Sequence, residues 1–457
     1  MATRLHPSFA PVRPRHPRQA ALYDAAVAVL DRAEAAIVVA GLFLFSTALA
    51  PMMAGVESDP TAENATLRTV YTSVYIVLFP WILVHWREVF AAAMRNVWTM
   101  ALVGLGVAST VWSVAPDVTQ RRGAAWVLTT LFGVYLAARY DTRTLLKLLA
   151  TALGLAAVMS VAFAIALPAY GVHSDMHAGA WRGVYPQKNT LGQVMVLGTV
   201  VFMVLRPSLG RRRWVGTCGA ALCAAMVLAS TSKTALVVLM SMGLLAVLFR
   251  SLRWHFTLAV PFLIACVMVG GSMALWLAAK AEGLLTAMGK DPTLTGRTPM
   301  WEVVWDMIMR RAGLGYGYSA FWVPGPNSPA REVARVLEWE TPHAHNGFLD
   351  LALQVGLIGV GLFFLGFAVA AVRGVKLLRA RHEALSLWPI LFLSYILLYN
   401  MTESGLGARH NLFWVVYTAT VCSWTLRRPA AETSAPEPAP QPAPEPAPVY
   451  AHAGAPR

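Results

Sequence analysis

Residues 341–359 read TPHAHNGFLDLALQVGLIG. The stretch opens polar, with His343, His345 and Asn346, and passes without a break into a run apolar enough to enter a bilayer. A short histidine-bearing patch therefore sits at the lip of a membrane helix. Two other stretches share this construction, polar and cationic first and then helical: residues 182–189 and 295–301.

The rest of the chain reads as the scaffold for these three. Of 457 residues, 57% are hydrophobic and 13% charged, and the mean hydropathy is +0.55. A soluble domain carries about a quarter charged residues. Apolar runs recur at about 35–54, 69–86, 97–114, 124–138, 148–169, 190–206, 214–229, 234–249, 257–279, 347–372, 387–402 and 412–426. The expected fold class is an all-α polytopic membrane protein with about twelve transmembrane helices. Its largest loop, residues 280–346, lies between the ninth and tenth spans. Residues 1–33 form a basic cytoplasmic tail, 34–428 the membrane domain, and 429–457 a Pro/Ala-rich tail that cannot bury a core. No cleavable signal peptide is evident, so the first apolar run is expected to act as an uncleaved anchor.

The net charge of +14 raises a nucleic-acid partner. The basic residues, however, cluster in short loops at every second turn, which is the positive-inside pattern with both termini cytoplasmic. No nucleic acid is expected. The four cysteines, Cys218, Cys223, Cys266 and Cys422, all fall in apolar segments and imply neither a disulfide framework nor a zinc site.

Some cations break the pattern. Arg121, Arg122, Arg182, Lys188, Lys233 and Arg297 fall in loops on the outer side, where an anionic ligand would justify them. Lys188 and Asn189 sit near the start of the sixth span, where free N–H groups and the helix dipole favour an anion. A snorkelling lysine beside a capping asparagine reads equally well. Arg297 precedes a helix that Thr298 can cap, that Pro299 suits in its first turn and that Gly313 ends. It suits phosphate, or a structural pair with Glu302 or Asp306. Trp301, Trp305 and Ile308 share a face, which predicts a helix lying along the outer interface. The Gly-Tyr-Gly-Tyr run after it is expected to be a flexible aromatic loop that stacks on sugar or anchors at the interface.

Within HAHNG, a neutral histidine can serve as a general base near pH 7, with Asp350 one turn later to orient it. His343 and His345 also have metal-ligand spacing, but no third ligand is evident, so no metal and no cofactor are expected. A transporter would place ionisable groups at the midplane. These spans hold almost none.

Taken together, STVWSVAPDVTQRRG, RGVYPQKNTLGQ, STSKTALVV, LTGRTPMWEVV with GLGYGYSAFW, and HAHNGFLDLALQVGLIG resemble the O-antigen ligase and polysaccharide polymerase superfamily, especially its exopolysaccharide-polymerase-like members. They occur in that family's order over about residues 97–360. The resemblance implies a GT-C-like bundle in a bacterial inner membrane. It implies transfer of a glycan from an undecaprenyl-diphosphate carrier at the periplasmic face, without metal or nucleotide sugar. Arg182 and Lys188 match the family's basic pair, Arg297 its GR motif and His345 the histidine of its H-N motif. Lys233 stands where many relatives carry arginine.

The roles read from the residues agree. Arg182, Lys188, Arg297 and Lys233 would stabilise the departing diphosphate, and His345, or His343, would take the acceptor proton, with Asn346 and Asn189 as secondary candidates. One-step displacement would invert the anomeric centre. The acceptor separates the alternatives: a growing polysaccharide for a polymerase, lipid A core for a ligase, a Ser or Thr for a protein O-glycosylating enzyme. The wording of the GR-W and HAHNG-LD motifs leans toward polymerase, with membrane lipids and a chain-length regulator as partners. A flippase is the non-enzymatic alternative.

Overall fold

The computed structural model describes residues 16–54, 64–174, 178–254, 257–258, 268, 297–325, 328–338 and 341–423. The C-terminal tail expected over 429–457 and most of the ninth span lie outside them. The described residues are helical throughout, with no strand among them; an isolated bridge pairs Val172 with Trp181. Helices cover every other span expected from hydropathy: α1 (Pro17–Phe45), α2 (Ala65–Val84), α3 (Trp86–Val111, with a 3-10 turn inside), α4 (Pro116–Arg139), α5 (Thr142–Ala166), α6 (Lys188–Leu205), α7 (Arg213–Ala229) and α8 (Lys233–Ser251). Two helices of the long loop follow, α9 (Arg297–Arg310) and α10 (Ala330–Leu337), and then α11 (Gly347–Ala380), α12 (Trp388–Asn400) and α13 (Leu412–Cys422). Among the described residues, six helical segments are long and apolar enough to cross a membrane; α6 and α7 count as one of them, and α12 and α13 are shorter apolar helices. α1 runs unbroken across residue 34, so the basic N-terminal segment and the first span share one helix.

Short polar side chains start these helices. Asn64, Asp141, Ser232, Asn346 and Asn411 each accept from an amide in the first turn of the helix they precede, satisfying donors that lipid could not. At other helix ends the basic residues meet carbonyls: Arg95 donates to Cys422 O (3.1 Å), Arg373 to Arg95 O (2.6 Å), and Arg253 to His382 O and Glu383 O (3.1 and 2.8 Å). α1 is tied to α4 by a buried cluster in which Arg139 grips Glu34 and Asp31 (both 2.9 Å) while Tyr140 donates to Glu34 (2.7 Å).

α11 is broken at Val355 and Gly356, where Gly356 has φ +69°. A break in an apolar helix leaves backbone groups that need partners inside the protein. The GLGYG run supplies them: Tyr316 N donates to Leu353 O (2.8 Å), Gly317 N to Gln354 O (3.0 Å), and Leu357 N donates back to Ala312 O (2.7 Å). A methyl group on Gly356 would fall 2.0 Å from Gly313 O, so the approach requires glycine. Residues 109–122 lock the other side. Val114 N donates to Tyr316 O (3.0 Å), Tyr318 N to Ser109 Oγ (2.8 Å), and Thr119 Oγ1 to Tyr318 O (3.0 Å).

The flexible aromatic loop expected here is thus a rigid clamp. Tyr316 and Tyr318 are buried, and Tyr318 stacks on Trp126 at 4.4 Å. Neither ring is offered to a sugar. The face expected for α9 is also corrected. The helix is described from Arg297 onward and buries Met300, Val304, Met307 and Ile308 in a core shared with Leu353 and Phe321. Trp305 points away and is half exposed, whereas Trp301 donates to Ala344 O (2.9 Å). The long loop folds onto α11 and docks against the HAHNG stretch.

Candidate functional site

The HAHNG stretch is held from three sides. Asn346 caps α11 by accepting from Phe348 N (3.0 Å) and Leu349 N (3.3 Å). Asp350, expected to orient an imidazole, is instead fully committed to the scaffold. Its carboxylate accepts from Trp322 Nε1 (2.6 Å) and from Ala344 N (3.2 Å to each oxygen). Gly347 packs so tightly on the chain between α12 and α13 that a Cβ would fall 2.1 Å from Asn400 Oδ1. These constraints hold His345 in a left-handed backbone conformation, φ +50°, a geometry that a non-glycine residue adopts only when its surroundings impose it.

The carboxylate facing His345 is Glu403, which sequence reasoning passed over. Its Oε2 lies 3.8 Å from His345 Nδ1, with the side chains 16% and 26% exposed. That is ion-pair range and too long for a hydrogen bond, and Nδ1 is buried without a hydrogen-bond partner. The other carboxylate oxygen, Oε1, accepts from Asn189 Nδ2 at 3.5 Å, and Asn189 Oδ1 accepts from Ser232 Oγ at 2.9 Å. Four separate segments are thereby chained together: HAHNG, the 401–411 connection, the start of α6 and the STSK turn before α8. Ser232 also caps α8, so the same oxygen joins the cluster to the helix that begins with Lys233.

Lys188 is the first residue of α6 and its amide donates to His173 Nε2 (3.2 Å). Lys188 is half-buried and Lys233 exposed, both at helix starts beside the Asn189–Ser232 bond. Arg182 differs from them. It is buried, and its guanidinium donates to Tyr170 O (2.8 Å) and Ala169 O (2.9 Å), closing the turn that precedes α6. The structure therefore gives this cation a scaffold task of its own. Arg297 is the first described residue of α9, the helix that docks on Ala344; its side chain lies outside the described residues.

His343 and His345 meet edge to face at 4.1 Å, and His345 N donates to His343 Nδ1 (3.2 Å). The third donor that the sequence did not reveal is offered by Glu403: one candidate ligand atom from each of His343, His345 and Glu403 lies within 4.8 Å of the others. With His343 Nδ1 accepting an amide, the neutral ring carries its proton on Nε2, so ligating a metal through Nε2 would require that proton to move and the amide bond to be given up. The stretch around Glu403 had a visible signal, although its pairing with His345 did not. The connection at 400–411, NMTESGLGARHN, is dense in polar groups for a short link between two apolar helices.

Comparison with known proteins bears on this arrangement. Residues 218–364 match the family model described as O-Antigen ligase. The match runs from α7 past the break in α11 and so includes Lys233, Arg297, His343 and His345. The chain is also similar to the exopolysaccharide production protein ExoQ of Rhizobium meliloti (strain 1021), 28% identical over 299 residues, covering 63% of this chain and 67% of that protein. With its apolar helical bundle and these two likenesses, the chain is similar to the O-antigen ligase and polysaccharide polymerase superfamily of membrane proteins.

Proposed function

We propose that this protein is a glycan polymerase that works at the periplasmic face of the bacterial inner membrane, with about twelve spans and both termini cytoplasmic. Its donor is an oligosaccharide on undecaprenyl diphosphate and its acceptor a growing exopolysaccharide or O-antigen repeat. The observation that carries the reading is the His345–Glu403–Asn189–Ser232 chain set between two lysines at helix starts. It supports a general base beside an anion site.

Glu403 faces Nδ1 of His345, which favours the tautomer with the proton on Nδ1 and leaves the Nε2 lone pair for the acceptor hydroxyl. As Nε2 takes that proton, the acceptor oxygen bonds to the anomeric carbon and the bond to the diphosphate oxygen breaks, inverting the centre. Negative charge growing on the leaving diphosphate is met by Lys188, Lys233 and Arg297, with Arg182 stiffening the turn behind Lys188. No metal or cofactor enters this scheme. Membrane lipids surround the protein, and a chain-length regulator is a natural partner.

The likeness to a protein named for exopolysaccharide production favours polymerase; the description of the matching family favours a ligase that delivers glycan to lipid A core. One experiment separates them. The gene is deleted and restored as wild type, Arg297→Ala or His345→Ala, and lipid-linked and surface glycans are sized on a gel. Single repeat units with loss of polymer mean polymerase. Long glycan stranded on its carrier means ligase. Wild-type behaviour of both point variants would sink the site.

A further inference from the structure

Glu403 sits on a turn that one buried side chain closes, that of Asn400. α12 ends at Asn400 and the chain then turns. Thr402 N and Glu403 N both donate to Tyr399 O (3.2 and 3.1 Å), and Gly405 N donates to Asn400 Oδ1 (3.0 Å). These bonds close a ring over residues 399–405 with Glu403 inside it. The other edge of the carboxamide is committed as well: Asn400 Nδ2 donates to Ile396 O, one turn back in α12 (2.9 Å). The turn needs an acceptor and the helix end a donor, and a carboxamide supplies both.

The same carboxamide bears on the histidine side of the site. A Cβ on Gly347 would fall 2.1 Å from Asn400 Oδ1 and 2.8 Å from its Cγ, so the first residue of α11 rests directly against it. Gly347 lies two residues beyond His345, and Asn346 between them is fixed as the cap of α11. A side chain only 1% exposed therefore abuts the HAHNG stretch and also closes the turn of Glu403. The gap between Glu403 Oε2 and His345 Nδ1 is 3.8 Å, about 1 Å beyond a charge-assisted hydrogen bond. A misplacement of about 1 Å in a reacting array can cost about 10²-fold in rate.

We infer that Asn400 is a positioning residue for the transfer reaction, setting the separation of the Glu403 carboxylate from the His345 imidazole from both sides at once. The inference rests on the reading above, in which His345 is the base and Glu403 holds its tautomer. The remainder of the connection is anchored separately. Tyr318 Oη donates to Gly407 O (2.8 Å), outside the 399–405 ring, and His410 N donates to Thr129 Oγ1 (3.0 Å). Losing either bond loosens the connection without opening the turn around Glu403.

Asn400→Ser in the detergent-purified full-length protein tests this, with lipid-linked glycan extracted from the gene-deletion strain as substrate. A serine hydroxyl can donate to Ile396 O, as Ser394 does to Ile390 O in the same helix (2.9 Å), but falls one bond short of Gly405 N. The helix end stays satisfied and the turn is released. kcat should fall about tenfold to a hundredfold, with KM for the glycan within about twofold of wild type. Added to Glu403→Gln, the same change should cost less than about twofold more, because both act through one carboxylate. Tyr318→Phe removes a buried hydrogen bond from the same connection and should leave kcat within about threefold. Three results would overturn the inference while His345→Ala stays inactive and the reading of the base stands. One is wild-type kcat in Asn400→Ser. Another is a full tenfold loss on top of Glu403→Gln, which would separate Asn400 from the carboxylate. The third is an equal loss in Tyr318→Phe, which would make the effect general to the connection. Absence of the monodisperse gel-filtration peak in both Asn400→Ser and Asn400→Ala would make Asn400 a residue of the fold alone and overturn the inference too. If His345→Ala and Glu403→Gln both transfer at the wild-type rate, the reading itself fails and the inference falls with it.

Discussion

The GLGYG clamp and the His345 cluster lie at the same end of the molecule and are built on opposite principles. In the clamp, a broken helix exchanges backbone bonds of 2.7–3.4 Å with the GLGYG loop. Around His345, the contacts are half-exposed and long: 3.8 Å to Glu403 and 3.5 Å from Asn189. Most buried polar groups that serve a fold are paired, although Trp126 Nε1 beside the clamp has no hydrogen-bond partner either. A group left short of partners at a strained backbone position is costly, and such costs persist where chemistry needs the group available. The contrast separates tyrosines that look functional and are structural from a histidine proposed as the base and held in a looser setting. It also predicts how each region fails.

Breaking the clamp should cost the whole protein. In Gly356→Val the new side chain collides with the Gly313 carbonyl at a φ of +69°, combining overpacking with backbone strain, each about 1–3 kcal/mol. The expected outcome is loss of membrane-inserted, folded protein, read as loss of the monodisperse peak in detergent gel filtration. A normal peak would mean that the break in α11 is dispensable. His345→Ala should do the reverse. The peak and the melting temperature stay, and the transfer rate falls by about 10²–10⁴-fold, the usual worth of a general base. His343→Ala is the internal control. Its Nδ1 accepts the His345 amide, so a smaller loss is expected; an equal loss would leave the choice of base open again.

The sequence carried the spans because hydropathy reports directly on which segments the bilayer tolerates. It carried the position of Lys188 because helix starts have chemical markers. It did not carry Glu403, since the pairing of two residues in different loops depends on how α11 and α12 meet, and no local pattern encodes that. Asp350 misled for a related reason. It is a turn away from His345 along the helix, but its carboxylate turns toward Trp322 and the Ala344 amide, which are buried and need an acceptor. The Gly-Tyr-Gly-Tyr run looked mobile because its glycines were read as freedom. Its φ values of +67° and +104° at Gly315 and Gly317 are instead what lets the backbone reach a broken helix. Arg182 looked like a ligand-seeking cation because carbonyls at the end of a turn are invisible in sequence.

Glu403→Gln sharpens the comparison from inside the cluster. Glutamine keeps the volume and can still accept from Asn189, so the fold should be unaffected. Losing the charge that holds the His345 tautomer should lower kcat by about tenfold to a hundredfold while KM for the lipid-linked donor stays within about twofold, as expected of a positioning residue. Glu403→Asp should restore part of kcat. A rise in KM with kcat unchanged would make Glu403 a substrate contact. Activation of wild type by added Zn²⁺ or Mn²⁺, lost in Glu403→Gln, would instead favour the metal triad of His343, His345 and Glu403.

The smallest effect is expected at Lys233. It is exposed, opens α8 and makes its contribution as a point charge over the Ser232-capped helix start. Arginine would add a fork but no charge, so Lys233→Arg should stay within about threefold of wild type, whereas Lys233→Gln removes the charge and should cost about tenfold. The ratio between the two substitutions is the informative quantity. If glutamine and arginine behave alike, the charge at Lys233 is not felt by the leaving group, and the anion site contracts to Lys188 and Arg297. If arginine exceeds lysine, the bound diphosphate lies close enough to α8 for bidentate contact, which would fix the side of His345 from which the leaving group departs.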